Sequence, residues 1–443
     1  MSSSEIVVKK ITFVIRESAL TTLFRSREAK ALYSLLLSTS AFIYLTVIAN
    51  YIADPSILRE DVSFFQRSFG TIHYFFLMWI VLMTTVSFIL YPASRRWIQR
   101  EWERPAEFVV AAAISFTVIA VFPIYMVVRF DVKEIMSVAM ALEQTRILLK
   151  TIAFVVETGR KREPVKDLNH NEEDDGKKGK PVIPTITHFW YFMFAPTLVY
   201  RDSYPRMSGP RNWPLITRLM MDILILGSLG FLAYQRLFLP RVRNFGIEPF
   251  DMGNFTSLVF YSIFVGWLAI AGIAYGFLHC WLNIWAELLR FGDRQFYRQW
   301  WLARGLSEFM RTWNYVVHSF IYEYLYKPTM MHLPHPVYSS LLVIALSVLA
   351  HDYVMLMATR VYYPLWILVF VFAMLPCYIL APVINPLQRK SDCNFCTFFV
   401  LTLWALIMGL FSGTGYFARQ NCPPFGSDYI SMELVFMTCT FGK

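Results

Sequence analysis

His351 stands in the run Val348-Leu-Ala-His-Asp-Tyr353, inside an otherwise apolar stretch. An ionisable side chain at such depth is costly and marks either function or a specific partner. A neutral imidazole is well suited to take a proton near neutral pH. The competing reading is a structural histidine bonded to a neighbouring helix. A second cluster is Arg311-Thr-Trp-Asn-Tyr-Val-Val-His318. From it, Asn314, His318, Tyr322 and Tyr326 recur every four residues, a slowly drifting polar stripe on one helix face, with Val317, Ile321 and Leu325 on another. Such a stripe can line a tunnel or bond to other helices. A third is Phe291 to Leu302, where aromatics and arginines alternate. Arg290, Arg294, Arg298 and Arg304 offer planar forks that suit phosphate groups, while Trp300 and Trp301 are also explained as interfacial anchors.

Other chemistries lack their signatures. The sequence has no Walker A loop, no GxGxxG and no HExxH. Cys393-Asn-Phe-Cys396 has no second ligand pair, so neither a metal nor another cofactor is expected.

These residues need elements to hold them, and the composition says which. Of 443 residues, 56% are hydrophobic and 16% charged, and the mean hydropathy is +0.44. A chain this long and this apolar needs lipid as solvent for its surface. Aromatics at 17% suit interfacial belts. The net charge of +10 is read as basic cytosolic loops rather than nucleic-acid binding. Apolar runs predict an all-α, polytopic protein of about nine spans. They are Ala31–Tyr51, Ile72–Tyr91, Phe108–Val128, Ile135–Val156, Leu219–Gln235, Phe255–Ala286, Val337–Met357, Val361–Gln388 and Phe398–Ala418. Ile135–Val156 carries Glu143 and Arg146, three apart and able to pair on one face.

The expected organisation is a basic cytosolic segment 1–30, a transmembrane domain 31–418 and a luminal tail 419–443. Residues 158–183 read as a mobile, mixed-charge cytosolic loop. No cleavable signal peptide is expected. The excess of Lys and Arg before the first span puts the N-terminus in the cytosol, with Arg236, Arg241 and Arg243 as exceptions on the luminal side. The sequon Asn254-Phe-Thr256 falls in a luminal loop close to a span.

Several ordered stretches resemble the sterol O-acyltransferase branch of the membrane-bound O-acyltransferase family. They are Phe194-Ala-Pro-Thr-Leu-Val-Tyr-Arg-Asp-Ser-Tyr-Pro-Arg206, Phe277-Leu-His-Cys-Trp-Leu-Asn283, Ala286-Glu-Leu-Leu-Arg-Phe-Gly-Asp293, Arg311-Thr-Trp-Asn314, Ala418-Arg-Gln-Asn-Cys-Pro423 and Glu143-Gln-Thr-Arg146. The resemblance implies an intramembrane reaction chamber and transfer of an acyl group from acyl-CoA to a lipid alcohol, without a covalent enzyme intermediate. It implies His351 and Asn314 as catalytic residues, His318 and Tyr326 near the acyl-CoA tunnel, and His279 beside a sterol-side pocket. Trp313, Arg298, Trp300 and Trp301 join them as substrate-binding candidates. It also implies a luminal disulfide, Cys422 to Cys439, an endoplasmic-reticulum membrane location and an oligomer, taken as a homodimer. The partners implied are long-chain acyl-CoA, a sterol or other lipid alcohol, and membrane lipid. The family's Phe-Tyr-x-Asp-Trp-Trp-Asn motif departs here to Phe296-Tyr-Arg-Gln-Trp-Trp-Leu302. Two further readings stand beside the sterol one: a diacylglycerol or other lipid-alcohol acyltransferase, and a lipid-binding scaffold without turnover.

Overall fold

The computed structural model describes residues 11–99, 105–162, 183–247, 251–333, 335–360, 364–376, 379 and 394–421. Among them the regular structure is helical, with two isolated β-bridges. Seven helical stretches are long and apolar enough to cross a membrane: Arg27–Ala53, Pro55–Ile98, Ala106–Arg129, Trp213–Val242, Met252–Leu289, Pro336–Thr359 and Thr397–Ala418.

The expected count of nine is therefore corrected to seven among the described residues, for two separate reasons. Ile135–Val156 lies within the helix Glu134–Arg162, whose charged side chains dilute its apolarity. That helix works as an internal post: Gln144 and Lys150 are buried, and Glu143 pairs with Arg146 at 2.6 Å, as their spacing predicts. Of the Val361–Gln388 run, only 364–376 and 379 are described, a short helix Leu365–Val369 leading into a π-turn.

The first long helix, α1 (Arg27–Ala53), begins at Ser26, whose hydroxyl accepts from Ala29 N at 3.2 Å. Asp54 ends it and caps α2 (Pro55–Phe69), where Pro55 takes the first-turn position that needs no N–H. α1 buries no residue and touches its neighbours through tyrosines. Tyr33 donates to Asp222 (2.7 Å), Tyr44 to the Ile225 carbonyl (3.0 Å) and Tyr51 to Asp61 (2.7 Å). Their spacing brings all three close to one line along the helix.

The tightest helix pair is α3 (Met252–Ala271) against α4 (Phe395–Asn421). A Cβ on Gly266 would meet Ala405 O at 2.5 Å, and one on Gly409 would meet Ser262 O at 2.7 Å. Small residues four apart on both helices let the backbones touch, which in lipid replaces the hydrophobic drive. Two of the three arginines expected as exceptions have partners in the fold. Arg236 is ion-paired with the buried Asp61, and Arg241 lies 3.9 Å over the Tyr261 ring. Asn254 lies in the first turn of α3, where Asp251 accepts its backbone N–H at 2.7 Å.

Candidate functional site

Three extended segments run side by side where the quoted motifs meet. Gly292 N donates to Pro205 O (2.9 Å) and Met207 N to Arg290 O (2.9 Å), which joins the 200–206 motif to the 286–293 motif. On the other edge Arg16 N donates to Gly292 O (3.0 Å) and Arg294 N to Arg16 O (3.0 Å). Gly292 has no room for a side chain, since a Cβ would lie 2.9 Å from Pro205 O and 3.1 Å from Ile15 Cγ1. Arg16 also makes a forked pair with Asp293, at 2.6 and 2.8 Å, and that carboxylate holds the guanidinium above its ordinary pKa. Residues 11–26 thus form a strap woven into the site. Sequence reasoning read them only as a basic leader; Phe13 between Tyr204 and Phe291 was the apolar signal available.

A charged cluster backs this platform. Arg201 donates to Glu157 and Glu323 (both 3.3 Å), and Lys327 reaches Glu323 at 3.1 Å. Behind it, Lys150 Nζ donates to the carbonyls of Phe192 (2.6 Å) and Ala195 (2.7 Å), and Arg146 donates to Met193 O. These cations, one turn apart on Glu134–Arg162, satisfy carbonyls that the end of helix Ile186–Phe194 leaves open. They fix the chain direction at Ala195-Pro-Thr197.

The arginines of the third cluster divide. Arg290 Nε donates to Met207 O (2.9 Å), and Arg294 pairs with Glu287 (2.6 Å) and is buried, so these two serve the platform rather than a ligand. Arg298 is exposed and lies 4.3 Å over the Tyr315 ring. Trp300 packs edge-on against Trp313 (4.9 Å) and Trp301 (5.8 Å), so the two tryptophans from the 296–302 motif and Trp313 form one aromatic group. Gln299 and Leu302 point outward, exposed.

Asn314 is the N-cap of α5 (Tyr315–Ile321), its Oδ1 accepting Val317 N at 3.2 Å. The cap uses the carbonyl and leaves the NH₂ as the donating end. One turn on, His318 stacks on Tyr315 at 6.0 Å. Burial first, then the charges of Arg298 and Arg311, hold the His318 imidazole below its ordinary pKa. The helix passes into a π-turn, Tyr322–Tyr326, where Tyr322 and Tyr326 stack at 6.1 Å. Of the expected stripe, Tyr322 and Tyr326 stack on each other, whereas His318 stacks on Tyr315, outside it, and Asn314 stands at the N-cap.

His279 is buried at the π-turn Gly272–Trp281, bonded to Tyr297 OH at 2.7 Å and stacked on Tyr275 at 5.3 Å. His351, on α6 (Pro336–Thr359), is exposed. Its Nδ1 lies 2.6 Å from Ser347 O. A carbonyl oxygen only accepts, so in the neutral ring Nδ1 carries the proton and Nε2 keeps its lone pair. The ring rests 4.3 Å from Trp366, whose backbone N–H donates to buried Asp352 at 2.8 Å. Asp352 thus caps the start of Leu365–Val369 and fixes the tryptophan that walls His351. Tyr353 donates to Gln144 at 2.6 Å, tying the same turn to the internal post. Among the described residues no hydrogen bond joins His351 to Asn314. Cys422 and Cys439 lie outside the described residues.

Residues 62–414 match the MBOAT, membrane-bound O-acyltransferase family. Sterol O-acyltransferase 1 of Mus musculus is 30% identical, covering 94% of this chain and 77% of that protein. Sterol O-acyltransferase 2 of Homo sapiens is 27% identical over 94% of this chain and 77% of its own length.

Proposed function

Because the chain belongs to the membrane-bound O-acyltransferase family, we propose that it transfers a long-chain acyl group from acyl-CoA to a sterol hydroxyl. The observation that carries this reading is the hydrogen bond from His351 Nδ1 to Ser347 O at 2.6 Å, which leaves Nε2 as a proton acceptor on an exposed ring. The relatives named as sterol O-acyltransferases, similar over 94% of the chain, support the choice of acceptor.

In this mechanism the sterol O–H proton passes to His351 Nε2 as the oxygen attacks the thioester carbonyl. The C–S bond breaks, CoA leaves as its thiolate, and the proton returns to sulfur. The Asn314 NH₂, with its carbonyl engaged in the cap, donates to the thioester oxygen as negative charge builds there. His318, Tyr326 and Trp313 line the acyl-CoA side and His279 the sterol side. Arg298, with Trp300 and Trp301, meets the charged head of CoA. The working unit is a homodimer in the endoplasmic-reticulum membrane. Its segment 1–30 is cytosolic, as is the stretch 158–183, whose first residues, 158–162, are not loop as expected but complete the helix Glu134–Arg162. Its transmembrane domain spans 31–418, and its tail 419–443 is luminal with Cys422 bonded to Cys439.

The test is turnover in microsomes from cells lacking endogenous activity, with labelled oleoyl-CoA and a panel of sterols, diacylglycerol and long-chain alcohols. Label in sterol ester is expected. Label only in triacylglycerol or a wax ester reassigns the acceptor, and no ester with any alcohol makes the chain a lipid-binding scaffold.

A further inference from the structure

Three side chains from three parts of the chain converge on His279. Its Nδ1 lies 2.7 Å from Tyr297 OH, 3.4 Å from Ser18 Oγ and 3.4 Å from Asn283 Nδ2. The orientation of the Asn283 amide is fixed locally. Its nitrogen lies 2.7 Å from the His279 carbonyl oxygen, which can only accept, so that atom is the NH₂. The same NH₂ also faces Ser18 Oγ at 3.3 Å and Nδ1 at 3.4 Å. Nδ1 therefore meets an amide donor and a phenolic hydroxyl. A proton on Nδ1 would face the Asn283 NH₂, which only donates, whereas a lone pair accepts from that amide and from the Tyr297 hydroxyl. Tyr297 OH, donating to Nδ1, in turn accepts Leu20 N–H at 3.4 Å.

We infer that Ser18, Tyr297 and Asn283 are positioning residues that hold His279 in the tautomer protonated on Nε2, so that the ring presents an N–H donor to the oxygen of the lipid alcohol. The inference rests on the ester-synthesis reading above for the identity of that ligand. An imidazole in this tautomer cannot take a proton at Nε2. It orients the hydroxyl and leaves proton removal to His351, whose Nε2 carries a lone pair because Nδ1 is committed to Ser347 O. Ser18 is the unexpected member. It precedes the first long helix, yet it is fully buried, held there by the Arg16–Asp293 fork and by its own bond to Thr21 (2.8 Å). The strap thereby belongs to the acceptor side of the site.

Glutamine places an amide NH₂ near the position of Nε2 and has no tautomers, which separates tautomer control from simple support. In the native background, Tyr297→Phe and Ser18→Ala should each raise the KM for the alcohol roughly two- to tenfold, the scale of one neutral hydrogen bond. The KM for acyl-CoA should not move. In a His279→Gln background the same two substitutions should add nothing. An undiminished effect there means structural support and overturns the inference. A second readout does not need turnover: nitrogen-15 spectra of histidine-labelled protein in nanodiscs, with the His279 signals assigned by their loss in His279→Gln. A protonated Nε2 and bare Nδ1 are expected; a protonated Nδ1 overturns the inference. If the native chain forms no ester while the spectrum shows Nε2–H, the ester-synthesis reading falls and the tautomer assignment stands.

Discussion

Two of the histidines in the long apolar helices, His279 and His351, are built in opposite ways. His279 is buried, bonded to Tyr297 and ringed by Ser18 and Asn283, and its Nδ1 accepts. His351 is exposed, bonded to a carbonyl of its own helix, and its Nδ1 donates. In the proposed mechanism the first is a fixed donor and the second an acceptor of protons. The surroundings follow the same division. The region around His279 is braced by the strap and the three extended segments, whereas His351 is walled by Trp366. A group that orients a substrate gains from rigidity; one that must exchange a proton with two successive partners needs an open nitrogen.

The largest expected effect breaks the second half of the comparison. His351→Ala should lower ester formation by about 10²–10⁴-fold, the usual worth of a general base, with the protein still accumulating in membranes. Turnover near the native rate, measured at equal protein level, removes His351 from the chemistry. Asn314→Asp comes next. Aspartate caps α5 as well as asparagine does but offers no donor. It should leave thermal stability nearly unchanged and cost about 10²–10³-fold in turnover, what an oxyanion donor contributes. A substitution that instead lowers stability and spares the rate assigns Asn314 to the cap alone.

Much of this was legible beforehand, for definite reasons. Apolar runs announce spans, and the pairing of Glu143 with Arg146 follows from helical spacing. The motif stretches lie close together because the segments at 205–207 and 290–292 hydrogen-bond to each other. What the residues could not announce was long-range. The basic segment 11–26 carries no period of its own, and its place is set by pairing with Gly292 and Asp293, more than 250 positions away. Arg294 looked like an anion site because its partner Glu287 sits in a neighbouring motif. Among the described residues one span was counted too many, because Ile135–Val156 reads as a lipid-facing run while Lys150 and Gln144 turn inward to carbonyl oxygens.

Two smaller effects sharpen the contrast. Lys150→Met leaves the carbonyls of Phe192 and Ala195 without their donor, at about 1–3 kcal/mol each. It should lower the melting temperature of the purified protein and, through the platform, raise the KM for both substrates. An unchanged melting temperature contradicts the bracing role. The smallest effect belongs to the altered 296–302 motif. Gln299 and Leu302 are exposed, so Gln299→Asp with Leu302→Asn should shift acyl-CoA chain-length or sterol preference by a factor of about two to five while basal turnover persists. Identical selectivity across acyl-CoA lengths leaves the motif an interfacial anchor, and activity that appears only after the double substitution marks the native chain as a degenerate relative.

The opposed roles of the two histidines are tested most directly by replacing each with glutamine and measuring sterol ester formation side by side at equal protein level. Glutamine can donate where Nε2 donates but cannot act as a base. His351→Gln should fall to background and His279→Gln should keep a substantial part of the native rate. Comparable losses in the two variants, or the reverse order, would contradict the division between a fixed donor and a proton acceptor.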